Sequence, residues 1–162
     1  MQNEIFDRVA QQLAEQGLQV VSSDLNRPWG GFFVIDEAQI QAFAQRYFPH
    51  LVDSLPQDQK LSPKILVVGP EKRLSWQYHF RRAEVWRVVE GPVAVAKSDS
   101  DEQQEPDTYQ NGDFITLKQG ERHRLIGLAN WGVVAEIWQH TDPNHPSDED
   151  DIVRVQDDFK RQ

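Results

Sequence analysis

Gln77 and His79 stand two residues apart within the stretch Arg73–Gly91, so on a β-strand their side chains share one face. Glu84 follows five residues after His79. A second segment, Gly112 through Gly120-Glu121-Arg122-His123, sets another imidazole at the head of an apolar run. An amide oxygen, two imidazoles and a carboxylate can together hold one divalent metal ion and leave coordination positions open for a substrate. Each residue also has an ordinary role. Gln77 can bond a neighbouring backbone group, His79 can be a lone core histidine, Glu84 can pair with Arg82 or Arg122, and His123 can hold a loop. The metal reading is preferred because a buried imidazole needs partners for both nitrogens and a buried carboxylate needs a cation.

The elements that must position these residues are mostly strands. Segments 64–69, 74–80, 84–90, 92–98, 113–118, 122–127 and 132–140 are short and apolar-rich, with Gly, Pro, Asp and Asn at the breaks. That pattern predicts an antiparallel sandwich or barrel. Ahead of it, Ile5, Phe6, Val9 and Leu13 mark one face of a helix over 3–16, stopped by Gly17. A short strand is expected at Leu18–Ser22, a turn at Arg27–Gly31 and a strand at Phe32–Ile35. Asp36 is placed to cap a second helix that buries Ile40, Phe43 and Tyr47 and ends at Pro49. Residues 50–62 read as a polar connection, and 99–106 and 147–151 as exposed acidic runs. The chain of 162 residues reads as one domain, with an extension over 1–61, a barrel core over 62–145 and a tail over 146–162.

Composition narrows the function. Lys and Arg number 17 against 26 Asp and Glu, for a formal net charge of −9. Bulk attraction to nucleic acid or to an anionic membrane is therefore not expected, and an anionic substrate must be caught by a local group of cations. There is no cysteine, which excludes disulfides and thiolate chemistry. No apolar run has the length of a membrane span, and the first residues do not read as a signal peptide, so a cytoplasmic protein is expected.

The motif Gln77-x-His79-x4-Glu84-x6-Gly91, followed by Gly112-x7-Gly120-x2-His123, resembles the two motifs of the cupin superfamily, small double-stranded β-helix or jelly-roll barrels. The closer similarity is to the type II phosphomannose isomerase (mannose-6-phosphate isomerase) domain. Small stand-alone forms of it are often labelled phosphoheptose isomerases. Arg27-Pro28-Trp29-Gly30, Leu74–Glu84, His123-Arg124-Leu125 and Asp150–Arg154 carry that resemblance, in the family's order. It implies a mostly β cupin barrel with an N-terminal helix and an inserted helix. It also implies one divalent ion, zinc by preference, on Gln77, His79, Glu84 and His123. Arg154 and Arg82 match family positions and become the candidate phosphate ligands. Apolar N-terminal segments often drive dimers of such barrels, so a homodimer is expected. The chain departs from the family at Glu71 (usually Gly), at Lys118 (usually Pro), at Phe159-Lys160-Arg161 and in the register of Glu136.

The expected function is that of a metal-dependent sugar-phosphate aldose–ketose isomerase of the mannose-6-phosphate isomerase kind. Its base is left open among Glu136, Lys118, His140 and a metal-bound water, with His145 a weaker candidate near the mouth. The alternative is a non-catalytic, metal-containing cupin that binds a sugar phosphate or nucleotide sugar. An iron-dependent oxygenase is a third reading, disfavoured because Gln77 stands where such enzymes use an imidazole.

Overall fold

Alternation of apolar residues across a pleated strand explains most of the architecture. The computed structural model describes residues 2–56, 58–142 and 144–156, so Phe159-Lys160-Arg161 lie outside the described residues. In chain order the elements are α1 (Gln2–Glu15), β1 (Val20–Arg27), β2 (Gly30–Ile35), α2 (Ile40–Tyr47), β3 (Lys64–Val68), β4 (Trp76–Tyr78) and β5 (Arg82–Glu90). They continue as β6 (Val93–Ser98), β7 (Asp107–Tyr109), β8 (Phe114–Leu117), β9 (Arg122–Gly127), β10 (Gly132–His140) and β11 (Val153–Gln156). Two antiparallel sheets result, one ordered β1-β2-β3-β10-β5-β8 and the other β11-β4-β9-β6-β7. This is the mostly β, two-sheet jelly roll with an N-terminal helix and an inserted helix that the resemblance implies. No helix among the described residues is long and apolar enough to cross a membrane.

The six-stranded sheet is buried on both faces, which is why β3 and β10 read as near-continuous apolar runs. Leu66, Val68, Trp86, Val88 and Val134 point inward and pack with Val93, Val95, Ile115, Leu117 and Leu125 inside the barrel. Ile65, Val67, Val85, Val133, Ala135 and Ile137 point outward and meet Ile5, Phe6, Val9 and Leu13 of α1 and Phe43, Ala44 and Tyr47 of α2. Each such side chain contributes about 1.5–3 kcal/mol by leaving water. The helical layer therefore fixes the sheet from behind without entering the barrel.

The N-terminal strands differ from the sequence expectation. β1 runs on to Arg27, pairs with β2 through a tight connection at Pro28-Trp29, and β2 in turn pairs with β3. Segment 20–35 is thus hydrogen-bonded into the barrel sheet. Ser22, Ser23, Asp24 and Asn26 hide β1 from a hydrophobicity reading because an edge strand can keep polar side chains in water. Gly30 is needed where it stands: its φ is +145°, and a Cβ there would lie 2.0 Å from the Val67 carbonyl oxygen. Strands β7 and β11, also unexpected, are short edge strands. Asp36 caps as expected, accepting from Ala38 N in the 3-10 turn that leads into α2. The polar connection instead begins with a 3-10 turn, Pro49–Ser54.

Glu71 occupies the place where the family usually has Gly, and its φ is +60°. A left-handed conformation costs a side-chain-bearing residue roughly 1–2 kcal/mol, which Gly avoids. Part of that gain is lost because Gly is freer in the unfolded chain. Glu71→Gly is expected to raise unfolding stability by up to about 1 kcal/mol, read from urea denaturation. A clear loss of stability would show that the Glu71 side chain contributes more than its backbone costs.

Candidate metal centre

Both sheets supply donors. On β4, Gln77 lies directly opposite His123 of β9, and His79 follows one residue after β4 ends. Glu84 comes from β5 in the facing sheet, between Leu117 of β8 and Trp138 of β10. His79, Glu84 and His123 are all buried, and one donor atom from each lies within 4.8 Å of the others. His79 Nε2 is 3.6 Å from Glu84 Oε2, and His123 Nε2 is 3.3 Å from Glu84 Oε1. The spacing of the sequence motifs therefore brings these residues together, with Gln77 Nε2 3.5 Å from His123 Nε2.

The hydrogen bonds behind the imidazoles determine what they present to the centre. His79 Nδ1 lies 2.6 Å from the Asp151 carbonyl oxygen, and His123 Nδ1 lies 3.2 Å from that of Glu121. A carbonyl only accepts, so each Nδ1 carries the proton and each Nε2 of a neutral ring turns a lone pair toward Glu84. This is how metal-ligating histidines are held, by a fixed acceptor on the far nitrogen. Glu84 Oε1 is buried and has no hydrogen-bond partner among the described residues. An unpartnered carboxylate oxygen beside a nitrogen lone pair leaves a gap suited to a cation. Gln77 also bonds Ser75, whose hydroxyl is 2.6 Å from Oε1. A hydroxyl both donates and accepts, so that contact suits either orientation of the amide. The donor set fits a divalent ion.

Charge around the centre is ordered as well. Burial works to raise the Glu84 carboxyl, but with the rings protonated the charge of His79, the close approach of His123 and His79, and the charge of Arg82 hold it well below the usual carboxylate range. Arg82 Nε donates to Glu84 Oε2 at 3.1 Å, while its Nη1 donates to Ser147 Oγ and to the Asp148 carbonyl, both at 2.9 Å. Its guanidinium also lies 3.9 Å from the centre of the Trp138 ring. Three of its donor contacts thus fix Glu84 and the tail rather than an open position.

A cavity of about 160 Å³ adjoins the donors, and its lining includes Gln77, Arg82, Glu84, Trp86, Glu136 and Lys64, together with Arg154, Glu149 and Trp29. Gln77 and Glu84 reach this wall, whereas His79 and His123 are not among its lining residues. Glu136 lies on β10 opposite Trp86 and accepts from the indole Nε1 at 2.8 Å. Burial, and then the nearby charge of Glu84, push its carboxyl up to about 7, against the weaker lowering effect of Lys64 and Arg82. Arg154, on β11, is paired in register with Gln77 and lines the same cavity.

Other sequence candidates lie elsewhere. Lys118 is exposed in the turn after β8, outside the lining, and its backbone N–H donates to Glu121. His140 is engaged on both nitrogens: Nε2 meets the Lys60 carbonyl, and Nδ1 accepts from Ser147 N at 2.8 Å. His145 is exposed beside Asp142. Among the side-chain base candidates, the structure brings only Glu136 into the cavity. Two participants were not read from the sequence. Lys64 opens β3 as an inward residue in phase with Leu66 and Val68, a phase visible only once the strand faces are known. Asp151 resembles one more solvated acid in the run 147–151, because its partners other than Ser147 lie 70 residues away or more.

The assignment predicts that His79→Ala loses metal affinity by tens-fold or more, because the remaining donors leave the shell incomplete. Equal metal content in wild type and variant by elemental analysis would remove His79 from the ligand set.

The family profile described as "Mannose-6-phosphate isomerase C-terminal" matches residues 39–157. A comparison with curated proteins found no match. Among solved structures, CapF, a capsular polysaccharide assembling protein from Staphylococcus aureus, superposes with a TM-score of 0.54 at 14% identity over 86% of this chain and 34% of its own. CapF with the inhibitor 3-isopropenyl-tropolone gives 0.56 at 12% identity over the same shares. Vicilin from hazelnut, Corylus avellana, gives 0.53 at 16% identity, over 79% of this chain and 34% of its own. The chain spans about a third of the length of these structures, and the likeness establishes the fold. With its barrel, its motif order and the profile match over more than half its length, the chain belongs to the mannose-6-phosphate isomerase C-terminal family of cupins.

Proposed function

We propose that the chain is a metal-dependent aldose–ketose isomerase acting on a phosphorylated sugar. The observation that carries this reading is Glu136, a buried carboxyl poised at about 7 in the same cavity wall as the metal-ligand candidate Glu84. Such an isomerisation moves a proton between adjacent carbons through an enediol. A group that takes and returns that proton works best when its pKa lies near the working pH. Glu136 is that group in our reading, held in place by the Trp86 N–H. Zinc is the ion we assign to His79, Glu84, His123 and Gln77, as a mixed nitrogen and oxygen donor set suits it. When bound, it supplies Lewis-acid stabilisation of the negative charge that develops on the sugar oxygens. Arg154 is proposed to help hold the anionic end of the substrate and convert that binding into orientation. A cytoplasmic location is part of this reading.

The small cavity supports a second reading. Ligand sites commonly measure about 300–1,000 Å³, so a sugar phosphate has to widen a space of about 160 Å³. A non-catalytic, metal-containing cupin that binds a sugar phosphate would need no more than partial entry. Purified protein with mannose 6-phosphate, fructose 6-phosphate and sedoheptulose 7-phosphate, with and without chelator, separates the two. Metal-dependent interconversion of an aldose and a ketose phosphate is the expected result. Saturable binding without turnover would replace the isomerase with the binding module.

A further inference from the structure

Around Trp138 the chain gathers cations, although its net charge is −9. Arg82 stacks on the ring, and Lys60 Nζ and Lys64 Nζ stand 5.6 and 5.7 Å from its centre. Lys64 Nζ is also 5.7 Å from the Phe32 ring, so its ammonium is held between two aromatic faces. Arg82 is paired with Glu84. The two lysines share one carboxylate, Glu149, whose Oε1 is 3.7 Å from Lys60 Nζ and whose Oε2 is 3.5 Å from Lys64 Nζ. Lys64 also lies within electrostatic reach of Glu136.

These ion-pair partners differ in how firmly they are held. The Lys64 side chain is only 14% exposed, whereas that of Glu149 is 56% exposed, on the tail between β10 and β11. The Lys60–Glu149 pair is exposed on both sides, and such pairs contribute about 0–1 kcal/mol, while the Glu149 end of the Lys64 pair lies in water, so the carboxylate is open to displacement. Lys64, Glu149 and Arg154 all line the cavity that contains Glu136, Lys64 from one sheet and Arg154 from the other. We propose that Lys64 is the anion subsite of this cavity, with Lys60 outside the lining on the far side of Glu149, and that Glu149 covers it as an internal counter-ion which an incoming phosphate replaces. The subsite deepens the isomerase reading and rests on it for the identity of the phosphate's owner, a phosphomonoester of a sugar. Glu149 thereby links substrate entry to movement of the tail, and it disfavours neutral sugars because they offer nothing to replace its charge.

Inorganic phosphate is the probe, titrated calorimetrically into the full chain with no added metal. Glu149→Gln removes the competing charge at an exposed position and is expected to tighten phosphate binding about two- to fivefold, the range a surface pair spans. Lys64→Gln is expected to weaken it by about tenfold or more, and Lys64→Arg to restore most of the loss. Unchanged phosphate affinity in Glu149→Gln overturns the proposal, as does unchanged affinity in a Lys64→Gln variant with a native circular dichroism spectrum. If Lys64→Gln does not fold, Glu149→Gln decides the matter alone. Turnover of a sugar phosphate without these shifts keeps the isomerase and removes the subsite. The shifts without turnover keep the subsite and remove the isomerase.

Discussion

Replacing Glu136 by Gln is expected to lower kcat for sugar-phosphate isomerisation by about 10²–10⁴-fold, the usual contribution of a positioned acid–base group. The amide keeps the size of the side chain and can still accept from Trp86 Nε1, so KM, metal content and fold should change little. A fall in kcat with KM unchanged marks an interaction made in the transition state. The pH dependence gives a second check. Burial keeps the Glu136 carboxyl above its ordinary range, its basic form is lost as pH falls, and activity should fall with it. Stability should move in the opposite direction. Because the folded carboxyl is raised above its ordinary 4.5, it favours folding most below pH 4.5, and that contribution disappears as pH rises through about 7. Metal-free wild type should therefore lose stability across that window, and Glu136→Gln should lose less. Undiminished kcat in the variant would assign the proton transfer to another group.

A second large effect is expected at Asp151. Its carboxylate accepts from Phe80 N at 2.8 Å, Arg81 N at 2.9 Å and Ser147 Oγ at 2.6 Å, while its backbone carbonyl holds His79 Nδ1. Burial acts to raise this carboxyl, yet the hydrogen bonds from Ser147, Phe80 and Arg81 and the charge of Arg81 prevail and hold it below its usual value. Asp151→Ala removes the acceptor of two part-buried backbone donors and of the buried Ser147 hydroxyl, and the buried donor alone costs about 1–3 kcal/mol when left unsatisfied. The loosened tail also takes the acceptor away from His79, and loss of such a support typically weakens metal binding about 10–100-fold. Unfolding in urea and a metal titration should both respond. A folded Asp151→Ala variant with wild-type metal affinity would show that the tail does not orient His79.

The proposed metal centre was legible because its residues repeat local rules. A two-residue spacing on a strand puts Gln77 and His79 on one face, and Glu84 stands out as a charge opening an apolar strand. Glu136 carried a similar signal, a carboxylate inside Val-Val-Ala-Glu-Ile-Trp, but only the strand pairing sets it against Trp86. Arg82 was legible as an arginine near the site, whereas its hydrogen bonds to Ser147 and Asp148 were not, because they join segments 65 residues apart or more. The helices were visible through their period of 3.6. The β1–β2 hairpin was obscured by its polar edge, a case in which tertiary pairing overrides local preference.

The six-stranded sheet that is buried on both sides sets limits on how this chain can change. Its strands carry two interleaved sets of side chains, one facing the helices and one facing the cavity. Substitution alters one set at a time. Insertion or deletion of a single residue within β3 or β10 exchanges the two: Ile65 and Val67 would turn into the cavity, and Lys64 and Glu136 out beneath the helices. Length variation is therefore confined to the connections, such as the acidic loop at 99–106. The frame of these strands can be tuned residue by residue, but it cannot be lengthened or shortened by one.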